Sequence, residues 1–296
     1  MKIKFLFLIP ILGLFLILFF FLFPEKTFLI NNFSSFLNPG DFTLLLLGKP
    51  GPGYIGSENT DSIMVFYYSQ KNNKIFLIPI PRDLIVKNEH GDLEKINALY
   101  GEKKIDLLLK KAEKFTGLRI KNYLAVDLKL ITGLVDFLGG LEVDLDEPVT
   151  DAVTLFTLPA GKQKLNGDLI ELVLRSRYNS EGDFFRQKNQ IKVLMALENK
   201  INSLNPEEKL ALIKFFENKG YLYQTNLSKQ ELLSLAMKIK DAKNIKIEPI
   251  ILKMKNSFLT SGNFNIYNTQ NVYGIYPTSG IDNYDKIRFY LQSRIK

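Results

Sequence analysis

The sequence contains no cysteine and a single histidine, His90, among its 296 residues. Without cysteine there are no disulfides, thiolate zinc sites or cysteine nucleophile, and the redox compartment stays undecided. A single histidine argues against a histidine-ligated metal centre and against a Ser-His-Asp triad. The neighbours of His90 are glutamate, glycine and aspartate, which indicates a polar turn.

The composition is that of an ordinary globular protein. Hydrophobic residues make up 46% of the chain and charged residues 24%, which excludes general disorder. The length allows one large or two small domains with a real core. The formal net charge of +8 suits a nucleic acid, an anionic lipid or a polyanionic cell envelope as partner, and charge alone does not choose among them.

Residues 5–23 form a run of 19 residues without a charged or polar side chain. As a helix this run would extend roughly 28 Å, close to the hydrocarbon thickness of a bilayer. The alternatives are a buried core helix, which would normally show a polar stripe, and a cleaved signal peptide, which usually ends in small residues. We therefore predict a retained transmembrane anchor, and no second apolar run is long enough to span a membrane.

Lys2 and Lys4 precede the apolar run, whereas Glu25 and Lys26 nearly cancel after it. The positive-inside rule then predicts a cytoplasmic tip at 1–4 and an extracytoplasmic remainder of a single-pass cell-membrane protein. This location argues against a nucleic-acid role. Residues 24–40 are interpreted as a stalk, and 41–296 as one extracytoplasmic α/β domain.

Interleaved patterns of period 2 and 3.6 predict the elements of that domain. Strands are expected at 41–47, 62–68, 74–80, 141–145, 245–252 and in parts of 264–276. Helices are expected at 102–116, 127–138, 166–174, 183–203, 206–220, 229–242 and 282–294.

The segment Gly51–Gly56 matches the pattern G-x-G-x-x-G after an apolar strand. A dinucleotide site also needs a helix that opens at this point, because the helix N-terminus holds the pyrophosphate. A strand pattern follows instead, and the G-K-[ST] of a P-loop is absent. We therefore interpret the segment as a flexible surface loop rather than a nucleotide site.

The two strands at 62–68 and 74–80 are expected to form a hairpin. If the turn centres on Asn72, paired positions sum to about 144, so that Asp61 faces Asp83, with Thr60 and Arg82 beside them. Adjacent carboxylates repel unless a cation or proton lies between them, and Mg²⁺ accepts one or two carboxylates together with substrate phosphates. Alternatively, Asp61 caps a loop and Asp83 pairs with Arg82 or a lysine; the spacing leaves both readings open.

Arginine is unevenly distributed. Of 39 basic residues only seven are arginine, and four of these fall within 80–83 and 174–186: Arg82, Arg175, Arg177 and Arg186. The planar guanidinium binds phosphate oxygens two at a time. Arg186 lies in the first turn of a helix behind an expected Asp183 cap, and Gln190 shares its face. The alternative is a solvated basic connection between two helices.

Taken together, these features predict an external, membrane-tethered site with two acids, Mg²⁺, several arginines and apolar walls. Such a site suits a phosphate or pyrophosphate attached to an apolar group.

At these residues the sequence resembles the LytR-CpsA-Psr family of bacterial cell-wall phosphotransferases. The resemblance runs from about residue 41 to 200, and it depends on the order and spacing of several short motifs. These are the apolar N-terminal segment, 59–64 (NTDSIM), 80–84 (IPRDL), 95–98 (KINA), 134–143 (LVDFLGGLEV), 165–167 (LNG), 175–177 (RSR), and 182–184 (GDF) with Arg186 and Gln190.

The resemblance implies a fold and an activity. The fold would be a single three-layer α/β/α sandwich around a mixed sheet, with a polyprenyl (pyro)phosphate held in an apolar groove. The activity would be transfer of a phosphate-linked glycan from that carrier to peptidoglycan, usually with Mg²⁺. The partners would be the lipid-linked glycan, the peptidoglycan acceptor and the membrane. The oligomeric state stays open.

The resemblance also implies roles for single residues. Asp61 and Asp83 would organise the metal and, with Arg82, Arg175 and Arg177, form the catalytic set; the arginines would bind the pyrophosphate and the charge of the transition state. Asp83 is a candidate to accept the proton of the attacking hydroxyl, although which aspartate does so stays open. The expected substrate-binding residues are Lys95, Asn97, Asp183, Arg186 and Gln190.

One position departs from the family pattern, because Asn189 stands where an arginine is usual. A phosphate contact would then be missing, or Lys188 or Lys192 would supply it. Two alternatives to the transferase stay open: a polyprenyl pyrophosphate hydrolase that uses the same groups, and a non-catalytic regulator of the cell envelope that binds polyprenyl phosphate.

Overall fold

The computed structural model describes residues 41–228, 231, 245–252, 258–266 and 269–296. The predicted anchor at 5–23, the stalk at 24–40 and most of the predicted helix at 229–242 lie outside these residues. Within the described part of the chain, no helix combines the length and apolar character needed to cross a membrane.

Strands and helices alternate along the described chain, as the sequence predicts. The strands are β1 Phe42–Lys49, β2 Ser62–Ser69, β3 Lys74–Pro79, β4 Ile85–Lys87, β5 Leu93–Lys95, β6 Tyr123–Asp127, β7 Leu141–Leu145, β8 Val149–Thr150, β9 Thr157–Leu158, β10 Gly161–Leu165, β11 Tyr223–Thr225, β12 Lys246–Pro249, β13 Leu259–Ile266 and β14 Thr269–Pro277. The helices are α1 Ala98–Gly101, α2 Ile105–Thr116, α3 Leu128–Phe137, α4 Gly167–Arg175, α5 Asp183–Asn202, α6 Pro206–Glu217, a 3₁₀ turn Gly220–Leu222 and α7 Asp285–Ile295.

These elements form two compact units. The sheet unit comprises the described residues of 41–129, 224–226 and 247–296, and the helical unit comprises those of 130–223 and 227–246. The mixed α/β class is confirmed. The three-layer arrangement and the single extracytoplasmic domain stay predictions.

A six-stranded sheet in the order β11-β6-β1-β2-β3-β12 is the core of the sheet unit. Strand β1 runs parallel to β6 and antiparallel to β2, so the sheet is mixed. The continuous apolar run of β1 therefore lies in the middle of the sheet, where both faces of a strand are covered. Strand β6 was not predicted from the sequence; it ends at Asp127, directly before helix α3 begins at Leu128.

Strands β2 and β3 form the expected hairpin, and Pro79 is the last residue of its strand. Met64 faces Pro79 and Ser69 faces Lys74, so the register is one residue away from the predicted one. If this register is extended beyond the ends of the two strands, Asp61 faces Arg82 and not Asp83. The expected direct pairing of the two aspartates is therefore wrong, because a shift of one residue changes every facing pair.

The helical unit contains helices α4, α5 and α6 and two small hairpins, β7–β10 and β8–β9. Gly139 and Gly140 end the segment after α3 with φ of 73° and 96°, a conformation that glycine adopts without steric cost. The Gly51–Gly56 segment of the sheet unit is a loop followed by β2, so the expected order of loop and strand is confirmed.

Candidate functional site

A charged cluster lies where β2 begins and where the chain leaves β3. The Arg82 guanidinium forms an ion pair with Asp61, and its Nε lies 3.7 Å from Oδ2 of Asp83. Lys95 Nζ donates to Oδ1 of Asp83 at 2.7 Å. Arg82 therefore contacts both predicted metal-binding carboxylates, and Asp83 also pairs with a lysine, as in the second of the two readings that the spacing left open.

The Nε of Arg82 is buried and has no hydrogen-bond partner within the described residues. The Arg82 side chain is 21% exposed, and Asp61 is 28% exposed. A buried N–H without a hydrogen-bond partner lowers stability by about 1–3 kcal/mol. An anionic ligand that accepts a hydrogen bond from this N–H would remove that cost.

Asn97 joins this cluster through its backbone. Its carbonyl accepts the N–H of Thr60 at 3.0 Å and the Thr60 hydroxyl at 3.3 Å. The next N–H, that of Asp61, donates to the carbonyl of Gly48 at 2.7 Å. These bonds fix the residues before β2, and thereby the backbone that carries Asp61.

A second ion network, at the ends of β1 and β6, was not predicted from the sequence. Lys49 Nζ lies 3.1 Å from Glu58 and 3.3 Å from Asp127, and its charge lies over the ring of Tyr100 at 5.6 Å. Lys49 is 7% exposed. Burial, followed by the nearby charges of Tyr123, Glu58 and Asp127, raises the pKa of Tyr100 to about 12.

The parallel pairing of β1 with β6 explains this network. Lys49 and Asp127 face each other as the last residues of the two strands. The sequence signal was a lysine and an aspartate that each end an apolar run. It could be read only after β6 had been recognised as a strand.

The charged cluster around Arg82 suits Mg²⁺ only if a bound ligand supplies further oxygen donors. No group of three or more His, Cys, Asp or Glu side chains that could hold a metal ion occurs in the described ranges. Asp61 and Asp83 supply two hard oxygen donors, and Mg²⁺ commonly uses one or two carboxylates with water and substrate phosphates. Two carboxylates are therefore compatible with such a site, and phosphate oxygens would have to complete it.

Helix α4 positions the arginine motif of the helical unit, residues 175–177, because the motif begins at the last residue of this helix. Asn166 caps this helix, because its Oδ1 accepts the N–H of Leu169 at 3.0 Å. The N–H of Gly167 donates to Oδ1 of Asp136 at 2.7 Å, and a Cβ at Gly167 would lie 2.5 Å from the same carboxylate. Only glycine fits this approach, which explains the Leu-Asn-Gly motif. Helix α4 ends at Arg175, one residue after the predicted end.

Asp183 is the acid of this motif. Its Oδ1 lies 2.5 Å from Arg186 and 3.7 Å from Arg177, and Gln187 donates to its Oδ2 at 3.0 Å. The expected Asp183 cap is wrong. The N-cap of α5 is Gly182, and Asp183 is the first helical residue, with its carboxylate directed to the arginines.

The arginines differ in exposure. Arg175 and Arg177 are 45% and 35% exposed, and Arg175 also forms an ion pair with Glu171 at 2.9 Å. Arg186 is 2% exposed and belongs to the interior of the helical unit. The exposed pair is therefore accessible to a ligand from solvent, whereas Arg186 stabilises Asp183 from within.

Gln190 and Asn189 are both buried on α5. Gln190 donates to the carbonyl of Leu174 at 3.3 Å, which ties α5 to the last turn of α4. Asn189 is 3% exposed, and its Nδ2 has no hydrogen-bond partner in the described part of the chain. The side chain at the position where the resemblance implies an arginine is therefore an interior amide.

The structure thus gathers the predicted residues into two groups. Asp61, Arg82, Asp83, Lys95 and Asn97 lie together in the sheet unit, and Arg175, Arg177, Asp183, Arg186 and Gln190 lie together in the helical unit. Their assigned roles, and a single ligand that both groups bind, stay predictions.

Comparison with known proteins gives the family. A family model described as the LytR_cpsA_psr family matches residues 25–277. The crystal structure of TagV from B. subtilis superposes with a TM-score of 0.62 at 25% identity, covering 86% of this chain and 97% of TagV.

Three relatives differ in how much they share with the chain. The probable cell wall biosynthesis protein LcpB of Corynebacterium glutamicum is 32% identical over 49% of this chain and 35% of LcpB. The regulatory protein MsrR of Staphylococcus aureus strain COL is 27% identical over 75% of this chain and 67% of MsrR.

The third is the polyisoprenyl-teichoic acid–peptidoglycan teichoic acid transferase TagU of Bacillus mycoides strain KBAB4, 32% identical over 52% of this chain and 51% of TagU. The chain thus spans about a third of LcpB, half of TagU and two thirds of MsrR. The family match covers most of the sequence, including every motif described above except the apolar N-terminal segment, and the chain therefore belongs to the LytR-CpsA-Psr family.

Proposed function

We propose that the protein is a membrane-anchored phosphotransferase that moves a phosphate-linked glycan from a polyprenyl (pyro)phosphate carrier to peptidoglycan. Family membership supports this proposal, as do the names of TagU and LcpB, which describe a teichoic acid transferase and a cell wall biosynthesis protein. The apolar run at 5–23 supports a single-pass anchor, with the remainder outside the cell membrane. The three-layer α/β/α sandwich belongs to the same proposal.

The observation that carries the proposal is the arrangement around Arg82. Its guanidinium contacts Asp61 and Asp83, while its Nε–H has no hydrogen-bond partner in the described residues. Phosphate oxygens match the donor geometry of a guanidinium group. Asp61 and Asp83 would hold Arg82 in position, and Lys95 would balance their charge.

The reaction is a displacement at phosphorus. The oxygen of an acceptor hydroxyl forms a bond to the phosphorus that carries the glycan, and the bond from this phosphorus to the carrier oxygen breaks. The electron pair of that bond stays on the carrier, which leaves as a polyprenyl phosphate, and the hydroxyl proton passes to a carboxylate. Asp83 is the proposed acceptor of this proton, and Arg82, Arg175 and Arg177 would stabilise the developing charge.

We also propose that Asp61 and Asp83 hold Mg²⁺ when a phosphorylated substrate is bound. The ion would neutralise phosphate charge and fix the orientation of the reacting oxygens. Transfer should therefore stop when a chelator removes divalent cations and return when Mg²⁺ is added. Full transfer in chelator, measured with purified full-length protein, would contradict the metal role and leave the arginine roles intact.

The arginine roles are tested by Arg175→Ala combined with Arg177→Ala. Both side chains are more than a third exposed, and Asp183 keeps its contact with Arg186, so the fold should survive. We expect transfer from lipid-linked glycan to peptidoglycan to fall about 100-fold or more, as on loss of transition-state charge stabilisation elsewhere. The matched control is Arg119→Ala, an exposed arginine outside both groups, which should transfer normally.

Unchanged transfer in the double variant would refute the arginine roles. The same assay without acceptor separates the transferase from the alternatives. Phosphate release that does not need peptidoglycan would indicate a hydrolase. Carrier binding without turnover would favour a regulator, in line with the name of MsrR.

A further inference from the structure

The hairpin tip of the helical unit presents apolar side chains to solvent. Strands β8 and β9 pair through Val149 with Leu158 and Thr150 with Thr157, and both Val149 and Leu158 are buried. Beyond them the chain turns outward, and the exposed fractions are 90% for Val153, 64% for Leu155 and 52% for Phe156. We call these three residues the apolar tip. Clustered exposed apolar side chains of this kind mark interaction sites.

The tip is held in a defined conformation rather than left loose. Oδ1 of Asp151 accepts the N–H of Val153 at 2.9 Å and the N–H and hydroxyl of Thr154 at 2.7 and 3.0 Å. The N–H of Thr154, followed by that of Val153, lowers the pKa of Asp151, so this carboxylate stays ionised and holds the turn.

Leu155 lies in the left-handed region with φ of 59°, which is uncommon for a bulky residue. Its N–H donates to the carbonyl of Asp151 at 3.0 Å, and its carbonyl accepts the hydroxyl of Thr157 at 3.3 Å. The hydrogen bonds of the turn thus hold a strained backbone that turns a leucine towards water, and such strain is commonly found at binding sites.

The base of the hairpin is joined to the arginine motif. The hydroxyl of Ser176, between Arg175 and Arg177, donates to the carbonyl of Thr150 at 2.6 Å. The Arg175 side chain, directly before this serine, is 45% exposed. Tyr178, two residues further on, is 57% exposed. The base of the hairpin is therefore joined to segment 175–178, which carries two arginines and a tyrosine.

This order of side chains matches a membrane interface. Apolar groups enter the acyl region, tyrosine is enriched at the interface, and arginine pairs with anionic headgroups. Asp151, the only acid within 149–158, is engaged in the turn, so no unpaired carboxylate of this segment opposes an anionic surface. The stalk between the predicted anchor and residue 41 has 17 residues, which reach at most about 60 Å, so the domain would stay near the bilayer.

We propose that Val153, Leu155 and Phe156 insert into the interface of the membrane that holds the anchor, bringing Arg175 and Arg177 to the level of the lipid headgroups. The role of this insertion rests on the proposed function, because the phosphate of a lipid-linked substrate lies at the level of the headgroups. Insertion itself is a physical contact that can be measured without any transfer.

The chain contains no tryptophan, so a single introduced one reports its own surroundings. Full-length Phe156→Trp would be reconstituted in vesicles of phosphatidylcholine and phosphatidylglycerol with brominated acyl chains, which quench on contact. We expect it to lose about half or more of its emission relative to unbrominated vesicles, as for an interfacial side chain. The matched control is Tyr221→Trp, an aromatic position of the same unit with 73% exposure, which should not be quenched.

A second tryptophan position guards against the possibility that Phe156→Trp distorts the turn. Val153→Trp, at the most exposed residue of the tip, should be quenched as well. Unquenched emission at both positions would overturn the proposal. So would quenching that needs added isoprenoid carrier, which would indicate carrier binding, or a blue shift that rises with protein concentration in detergent, which would indicate a second copy of the chain.

Activity separates this inference from the proposed function. Val153→Ser combined with Leu155→Ser should lower transfer from a long-chain carrier in vesicles about tenfold, because less apolar area is buried in lipid. It should leave transfer from a short, water-soluble carrier unchanged. Equal losses with both carriers would contradict a membrane role of the tip. If the unmodified protein transfers neither substrate, the proposed function fails while the quenching result stands.

Discussion

At the level of single side chains, the predicted site residues are held by ion pairs among themselves. Arg82 contacts both Asp61 and Asp83, and Asp183 contacts both Arg177 and Arg186. In each group opposite charges stand close enough to offset the cost of partial burial. A polyanionic substrate would enter by competing with the carboxylates for the guanidinium groups, and a divalent cation would lower the repulsion between carboxylate and phosphate.

Glu198 gives a prediction on stability against pH. It is a buried residue of α5, and desolvation raises its pKa from 4.5 to about 7. Between pH 4.5 and about pH 7, Glu198 keeps its proton in the folded chain and releases it in the unfolded chain. Its contribution to the free energy of unfolding therefore falls as pH rises through this range. Glu198→Gln should therefore raise the free energy of unfolding by about 1–2 kcal/mol at pH 8 and change it little at pH 4.5.

Urea unfolding of the full-length protein at the two pH values measures the effect of Glu198→Gln. The control is Glu217→Gln, an exposed glutamate at the end of α6, which should leave stability the same at both. A gain that is equal at pH 4.5 and pH 8 would show that the change acts through packing and not through ionisation.

At the level of helices and strands, local signals fixed some boundaries closely and others not at all. Asn205 and Pro206 predict the start of α6, and the structure shows the full capping box with Glu208. The Ser228 and Glu231 box is also formed, with Ser228 Oγ accepting the N–H of Glu231 at 3.2 Å. Strand β6 carried no such signal, and a five-residue strand before a helix is recognised only through its pairing with β1.

The cap of α6 provides a test for this element. The Oδ1 of Asn205 accepts the N–H of Glu208 at 2.9 Å, and the Glu208 carboxylate accepts the N–H of Asn205 at 2.8 Å. Asn205→Ala removes the side-chain acceptor and should lower the free energy of unfolding by about 1 kcal/mol. Asn218→Ala, at the exposed C-cap of the same helix, should cost about 0.5 kcal/mol or less. Equal losses in thermal or urea unfolding would contradict the capping role.

For the chain as a whole, family and fold class were accessible from the sequence, but the arrangement of the site was not. The motifs around Asp61, Arg82, Arg175 and Asp183 were recognised by order and spacing, which survive without coordinates. The family match over residues 25–277 confirms that recognition. The anchor at 5–23 and the extracytoplasmic location depend on composition and flanking charge alone, and they stay predictions.

Pairing between distant residues could not be obtained in the same way. The hairpin register differs by one position from the expected one, which places Arg82 and not Asp83 opposite Asp61. Lys49 meets Asp127 only because β1 and β6 run in parallel, although 77 positions separate the two residues. The exposed hairpin tip gave no signal either, because valine, leucine and phenylalanine are ordinarily assigned to a core.

Short-range rules therefore established the class of element, the caps and the family motifs of this protein. These depend on backbone geometry and on neighbours within a few residues. Register, the choice of ion-pair partners and the exposure of the β8–β9 tip were settled by packing across the folded chain. The physical reason is that these properties depend on contacts between segments far apart in sequence, and a shift of one residue in a strand is enough to change them.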